Sequence, residues 1–464
     1  MHQIKKLYNI LSSALRKIEN CVSERDFERL RNLDEQYEQS IVEELKVKFP
    51  DMFDKGTCNV SEISERHLER SSLVKDLEVY LNISSNKEEL IFLVKYMDSF
   101  LEDTYYRYIP VDQEQYLFKC LNDNFQECQI CLIPRIVCGW EHNNRDAYTS
   151  YSIFYYLRNF YYISGTDARD YEVQHILMSK SLFREAVRRG KLHVMVSPVT
   201  NEEVVETTEP YVRDNVRFVS IIPMKHDTEM RIQNICKDAL KKAASEEADI
   251  MLFPEMMATD NIVDYLGNEL DIREDMLNNE FPRLVICPTV WKQQHNYCRI
   301  LDDMGDTVCE QQKHYGVDLK QCSAKEDIVS NRKIVILHCY GVGRIAVAIC
   351  KDFLITNYLR LLIEKLKVNL LLVPSFTGKD YQFEVLLPKY GEQDLNVIWL
   401  NACSAKSLNG IEEVMPSLTM AYLPGKKGIL EEKHEAADLC EKQCNCGKAC
   451  IYTYHILLDG EVVV

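Results

Sequence analysis

Apolar positions recur at helical spacing through the first part of the chain. In "SNKEELIFLVKYMDSFLEDTYYRYI" they fall at Leu90, Leu93, Val94, Met97 and Leu101, one face of a helix. Ser85, three residues before Glu88, predicts a capping box at its start. Residues 1–80 are charged but also periodic, as in "FERLRNLDEQYEQSIVEELKVKF". Pro110 separates this region from an aromatic-rich stretch, "YTSYSIFYYLRNFYYISG". Aromatic rings beside Arg158 suit nucleic-acid stacking or apolar packing, and the acidic balance favours a buried helix or an oligomer interface.

The pattern changes near residue 200. "VTNEEVVETTEP" is polar and acidic and predicts a linker. Beyond Arg217, short apolar runs alternate with helical periods. "RFVSIIPM", "DIMLFPEM", "RLVICPTVW", "KIVILHCY", "GRIAVAIC", "NLLLVPS", "NVIWLNAC", "SLTMAYL" and "ACIYTYHILL" predict strands. "DTEMRIQNICKDALKKAASEEA" predicts a helix with Ile232, Ile235, Leu240 and Ala244 inward, and "TNYLRLLIEKLK" another. The expectation is a mainly α-helical domain over 1–210 and an α/β domain over 211–464, with nothing before 210 contributing to the latter.

Composition narrows the class. The 464 residues are 46% hydrophobic, enough for a large core. A formal net charge of -17 argues against nucleic acid or anionic membrane as a partner. No run approaches the roughly 20 apolar residues of a spanning helix, and the N-terminus does not read as a signal peptide. A cytoplasmic protein follows, whose 18 cysteines are mostly free thiols.

Three strand ends carry polar residues that packing does not explain. "IMLFPEMM" delivers Glu255, "DTVCEQQKHYG" delivers Lys313, and "RIAVAICKD" delivers Cys350. In that order they resemble the Glu, Lys, Cys set of the carbon–nitrogen hydrolase, or nitrilase, superfamily. Further segments extend the likeness over roughly residues 216 to 462. "HNYCRILDDMGDTVCEQQKHY" opens with Asn296. "LLLVPSF" resembles a proline-serine strand end, and "VIWLNAC" ends at Asn401. "SLTMAYLPGKKGIL" and "CIYTYHILLD" follow. The resemblance implies a four-layer α-β-β-α sandwich, commonly paired into homodimers or larger assemblies. It implies Cys350 as nucleophile, Lys313 as the cation beside thiolate and oxyanion, and Glu255 as general acid–base. Acid–base help of this kind is worth about 100 to 10,000-fold.

Departures from the family pattern are informative. Lys351 stands where an aromatic residue commonly follows the cysteine, so the pocket's charge is in question. Asp352 in place of Glu leans toward amidases or carbamoylases. The second glutamate that buttresses the lysine falls to Glu326, 13 positions on. Phe376, Thr377 and Tyr381 are candidate pocket walls, with ordinary packing the alternative.

"LCEKQCNCGKAC" holds Cys440, Cys444, Cys446 and Cys450. Four thiolates are a closed zinc set, but the spacing is not that of paired Cys-x-x-Cys knuckles, so a structural zinc and a loop of free thiols both stand as readings. His434 and His455 are substitute ligands. Catalysis itself calls for no cofactor. The favoured function is hydrolysis of an amide-type small molecule. The alternatives are a glutaminase feeding ammonia to a partner, and an assembly or effector module, as in bacterial antiviral defence, with residues 1–210 binding a protein partner.

Overall fold

The computed structural model describes residues 2–32, 35–53, 65–107, 130–134, 152–164, 170–179, 181–200, 204–222, 224–271, 282–319, 323–391, 395–405, 417–425, 428–435 and 450–458. The chain forms two compact units, and the second takes up the chain at Asp170.

In the first unit, α1 (His2–Cys21), α2 (Glu24–Arg31), α3 (Glu35–Lys48), α4 (Glu65–Arg70), α5 (Leu73–Ile83) and α6 (Lys87–Arg107) precede β1 (Ile130–Pro134) and β2 (Phe160–Ser164). Residues Leu7, Leu11 and Leu15, four apart, form one buried stripe of α1, which packs on α5 and α6. The stripe read from the sequence, Leu90 to Leu101, is buried on α6. The cap lies one residue later than expected. Asn86 Oδ1 accepts the Glu88 N–H at 3.1 Å, and Asn86 Nδ2 donates to Glu89 Oε1 at 2.8 Å. Asn caps as well as Ser, so the Ser85 pattern misplaces the helix start by one residue.

The described part of the aromatic stretch is not a helix. It makes a short turn at Ile153–Tyr155 and then β2, antiparallel to β1. Asp98 explains the difference. Its buried carboxylate accepts the backbone N–H groups of Arg158 (2.7 Å), Asn159 (2.9 Å) and Phe160 (3.1 Å). Consecutive N–H groups converging on one carboxylate are unavailable to a helical ladder. Asp98→Ala is expected to cost roughly 3 kcal/mol, since it strands several buried donors. Urea unfolding with an unchanged midpoint would refute this.

The second unit opens with β3 (Glu172–Leu177), α7 (Arg184–Arg189) and β4 (Lys191–Val196). The short strands β5 (Glu206–Thr207), β6 (Tyr211–Arg213), β7 (Val216–Val219) and β8 (Ile221–Ile222) follow. Next come α8 (His226–Ser245), β9 (Ile250–Leu252), α9 (Asp260–Asp271), β10 (Leu284–Ile286), β11 (Val290–Lys292), β12 (His295–Asp302) and β13 (Thr307–Gln312). The remainder is β14 (Asp318–Leu319), β15 (Ala324–Glu326), β16 (Lys333–Cys339), β17 (Gly343–Val347), α10 (Thr356–Arg360), β18 (Leu370–Ser375), α11 (Tyr381–Gly391), β19 (Asn396–Asn401), β20 (Ser417–Gly425), β21 (Gly428–Glu435) and β22 (Tyr452–Leu457).

Two seven-stranded sheets dominate. One runs β11-β12-β10-β9-β4-β22 with β13 on β12, and the other β21-β20-β19-β18-β17-β16-β3. The boundary expected at 210 is therefore wrong, because β4 lies between β9 and β22 and β3 pairs parallel with β16. "RFVSIIPM" is not a core strand either. It divides into β7 and β8, and β7 joins a four-stranded side sheet, β14-β15-β7-β6. The central parallel strands β9, β10, β17, β18 and β19 are buried at every position, the uniform apolar runs the sequence showed.

Helices α8 and α9 cover the first sheet. Ile232, Cys236, Leu240, Ile262 and Leu266 share one cluster with Met195, Met251, Phe253 and Val285. Helix α11 packs on β19 and β20. The sheets meet through buried polar contacts. Tyr454 Oη on β22 donates to Thr419 Oγ1 on β20 at 2.9 Å, and the Val335 N–H on β16 donates to Gln311 Oε1 on β13 at 2.9 Å. Among the described residues, no helix is long and apolar enough to cross a membrane.

Candidate active site

Each of the three charged or nucleophilic side chains leaves a strand through a different local device. After β9 the chain passes Pro254 to Glu255 and turns at Met256, whose φ is +61°. That turn is braced by Thr289. Its Oγ1 accepts the Met256 N–H at 2.8 Å, and its own N–H reaches the Pro254 carbonyl at 3.1 Å. Lys313 directly follows β13, and its N–H is held by the Asn296 carbonyl on β12 at 2.8 Å. Cys350 lies beyond the end of β17 rather than on the strand itself. It opens a 3₁₀ turn, Cys350–Leu354, with φ +48°. A non-glycine residue held there costs on the order of 1–3 kcal/mol and persists only where the surroundings enforce it.

The three side chains converge. Lys313 Nζ donates to Glu255 Oε1 at 2.7 Å and to Glu326 Oε2 at 2.8 Å. Asn296 Nδ2 donates to the same Glu255 Oε1 at 2.8 Å, and the Phe376 N–H donates to Glu255 Oε2 at 2.8 Å. Cys350 is buried beside them, near enough for the charges of Glu255 and Lys313 and the Phe376 N–H to act on its thiol. Glu255 is 0%, Lys313 1% and Cys350 4% exposed, so these charges act with little solvent between them.

Burial and the neighbouring charges shift all three groups. Burial pushes the Cys350 thiol up, and the Glu255 charge pushes it further, against the opposing pull of Lys313. Burial also raises Glu255, opposed mainly by Lys313. Burial would lower Lys313, but the charges of Glu255 and Glu326 outweigh it and hold it well above its ordinary value. Burial therefore disfavours the thiolate, while the two glutamates favour the Lys313 ammonium.

The other sequence candidates separate. Glu326 joins the cluster, and its Oε2 also accepts the Val317 N–H at 3.0 Å. Asp352 stands one step back and acts on the main chain. Its carboxylate accepts the N–H groups of His314 (3.0 Å) and Tyr315 (2.9 Å), fixing the peptide after Lys313. Burial pushes Asp352 up to about 8, while these N–H bonds and Lys313 pull it down. Asn401 ties the strand end beside the site, accepting from the Thr377 N–H at 2.9 Å and donating to the Thr377 carbonyl at 2.8 Å.

Lys351 points to the loop after Lys313, donating to the Gly316 carbonyl (2.7 Å) and Asp318 Oδ2 (2.8 Å). Phe376 serves through its main-chain N–H, while its side chain belongs to the apolar cluster under α8 and α9. Tyr381 is 70% exposed at the first turn of α11, a surface position rather than a buried wall.

Asn296 enters the sequence reading only as the start of a motif, and the structure adds it to the site. Asn296 is buried near the start of β12, and its place opening that motif was the available signal. Cys440, Cys444 and Cys446 lie outside the described residues, and Cys450 is partly exposed. The side chain of His434 is likewise outside them, and His455 packs at a tilt against His193, ring centroids 4.8 Å apart. Among the described residues no group of three or more His, Cys, Asp or Glu could hold a metal ion.

No family model matches the chain, and no curated protein matches it. Solved structures do. An amidase from Nesterenkonia sp. AN1 is 13% identical over 45% of this chain and 78% of its own, with a TM-score of 0.33. A mutant of that amidase with the acetamide moiety of fluoroacetamide on its active-site cysteine covers 59% of this chain and 93% of its own, at 12% identity and a TM-score of 0.38. Saccharomyces cerevisiae Nit3, a member of branch 10 of the nitrilase superfamily, covers 57% of this chain and 90% of its own, at 11% identity and a TM-score of 0.37. The chain is thus similar, over about half its length, to nitrilase-superfamily proteins.

Proposed function

We propose that the second unit is a nitrilase-type α-β-β-α sandwich that hydrolyses a non-peptide carbon–nitrogen bond, amide or carbamoyl rather than nitrile, through a thioester on Cys350. The observation that carries this is the buried cluster in which Lys313 Nζ meets Glu255 Oε1 at 2.7 Å with Cys350 beside them. Glu255 takes the thiol proton as Sγ attacks the carbonyl carbon. Negative charge then develops on the carbonyl oxygen, where the Lys313 ammonium opposes it. Glu255 returns the proton to the departing nitrogen, and ammonia or an amine leaves. Water, deprotonated by Glu255, attacks the thioester. The carboxylic acid product departs and the thiol regains its proton. No cofactor enters the balance.

The test is ammonia release from a panel of aliphatic amides, carbamoyl compounds, glutamine and nitriles, native protein against Cys350→Ala. Release from an amide or carbamoyl compound by the native protein alone is expected. Glutamine as the single substrate would turn the reading toward ammonia supply. Release that survives Cys350→Ala, or no release from any compound, would sink the reading.

A further inference from the structure

Glu326 sits on a strand of three residues, β15, which can do little to hold it by itself. What fixes it is the next residue. Asp327 is 1% exposed, and its N–H donates to the Val219 carbonyl on β7 at 2.9 Å. Its carboxylate is gripped from two other segments. Arg213 on β6 forks onto it, Nη2 to Oδ1 at 2.5 Å and Nη1 to Oδ2 at 3.2 Å. Tyr211 Oη, also on β6, donates to Oδ2. Gln294 Nε2, in the turn between β11 and β12, donates to Oδ2 at 2.7 Å. The Gln294 carbonyl accepts the Val329 N–H at 2.7 Å, so the same turn ties the chain on the far side. A forked guanidinium–carboxylate pair fixes angle as well as distance, which a point charge does not. The Arg213 guanidinium also lies over the Phe218 ring, 4.6 Å from its centroid.

Successive residues of an extended chain point to opposite faces. Clamping Asp327 therefore sets the face on which Glu326 meets Lys313. We infer that Arg213, with Tyr211 and Gln294, is a positioning element of the site: through Asp327 it holds Glu326, and through Glu326 it aims the Lys313 ammonium. The side sheet β14-β15-β7-β6, set apart from the two large sheets, thereby acquires a role in the chemistry. Gly316, in the loop after Lys313, shows how closely that loop approaches the chain at Glu326 and Ile328. A Cβ there would lie 2.9 Å from the Glu326 carbonyl and 2.7 Å from Ile328 Cγ2. The inference rests on the hydrolase reading only for its turnover arm. The Arg213 side chain is 47% exposed, so changing it leaves the reacting groups chemically intact.

The experiment compares full-length wild type with Arg213→Ala, Arg213→Lys and Tyr211→Phe. Chloroacetamide, an amide-shaped electrophile, labels the thiols, and mass spectrometry follows each cysteine peptide separately. Turnover of whichever amide the panel identifies gives kcat and KM. Misplacing a reacting group by about 1 Å costs up to about 100-fold, so Arg213→Ala is expected to slow Cys350 labelling and kcat on the order of tenfold, with KM changed less than about twofold. Arg213→Lys recovers part of the loss and Tyr211→Phe shows a smaller loss. Labelling of the buried Cys236 and Cys298 stays slow, whereas simple loosening of the fold would speed it.

Cys350 labelling at the wild-type rate in both Arg213→Ala and Tyr211→Phe overturns the inference. So does faster labelling of all buried thiols, and so does a wild-type Cys350 that never labels while the exposed Cys21 does. Slowed Cys350 labelling in a protein that turns over no amide keeps the positioning role and removes the hydrolase reading.

Discussion

Cys350→Ala is expected to end turnover, lowering it on the order of 10,000-fold or more, because covalent catalysis loses the atom that forms the thioester. Cys350→Ser fails almost as badly. Glu255 is matched to a thiol, and a hydroxyl is far less acidic. The same position offers a stability readout that owes nothing to substrate. With φ at +48°, Cys350 occupies a conformation that glycine adopts without penalty. Cys350→Gly should therefore be more stable than Cys350→Ala by about 1 kcal/mol, the reverse of their usual order. Calorimetry on both variants tests it. Cys350→Ala melting above Cys350→Gly would mean that the turn is not strained. Retained amide turnover in either variant would remove Cys350 from the chemistry.

How far the site was readable depends on which part of each residue does the work. Glu255 and Cys350 are side chains placed after apolar runs and Lys313 one placed after a strand hairpin, contrasts visible in the letters alone. Glu326 was the nearest later glutamate to Lys313, and the β14–β15 pairing brings it there. Phe376 contributes a main-chain N–H, which every residue but proline carries, so its letter pointed to a pocket wall instead. Asn296 hid inside a strand whose other inward positions are apolar. The fold shows the same division. Strands buried on both faces read as strands. "KLHVMV" did not, because Lys191 and His193 interrupt it, yet β4 is central to its sheet. The acidic tract near 200 looked like a domain boundary because composition changes there. The chain merely passes from β4 into the side strands.

Lys313→Met is expected to damage stability and activity together. Glu255 and Glu326 share this one ammonium, and all three side chains are buried. Removing one partner of a buried ion pair costs about 3–5 kcal/mol, because the remaining charge is left without compensation. In this site two carboxylates are left. Activity should fall by at least about 100 to 1,000-fold, the usual effect of losing a single oxyanion donor. The pH dependence follows from the sign of the Glu255 shift. Its carboxyl is already raised above its ordinary value by burial, and Lys313 is the main opposing influence. Without Lys313 it rises further. A carboxyl raised on folding favours the folded state fully below its unfolded pKa and loses that contribution as pH climbs through its folded value. The variant should therefore be most destabilised at about pH 8 and recover as pH falls toward about 5, when Glu255 takes up a proton. Adding Glu326→Gln removes one of the two stranded charges, so the double variant should regain part of the stability at the higher pH and none of the activity. Urea midpoints at both pH values decide it. Destabilisation that deepens on acidification, or a single variant as stable as wild type at the higher pH, would show that Lys313 is not the counter-ion on which the two glutamates depend.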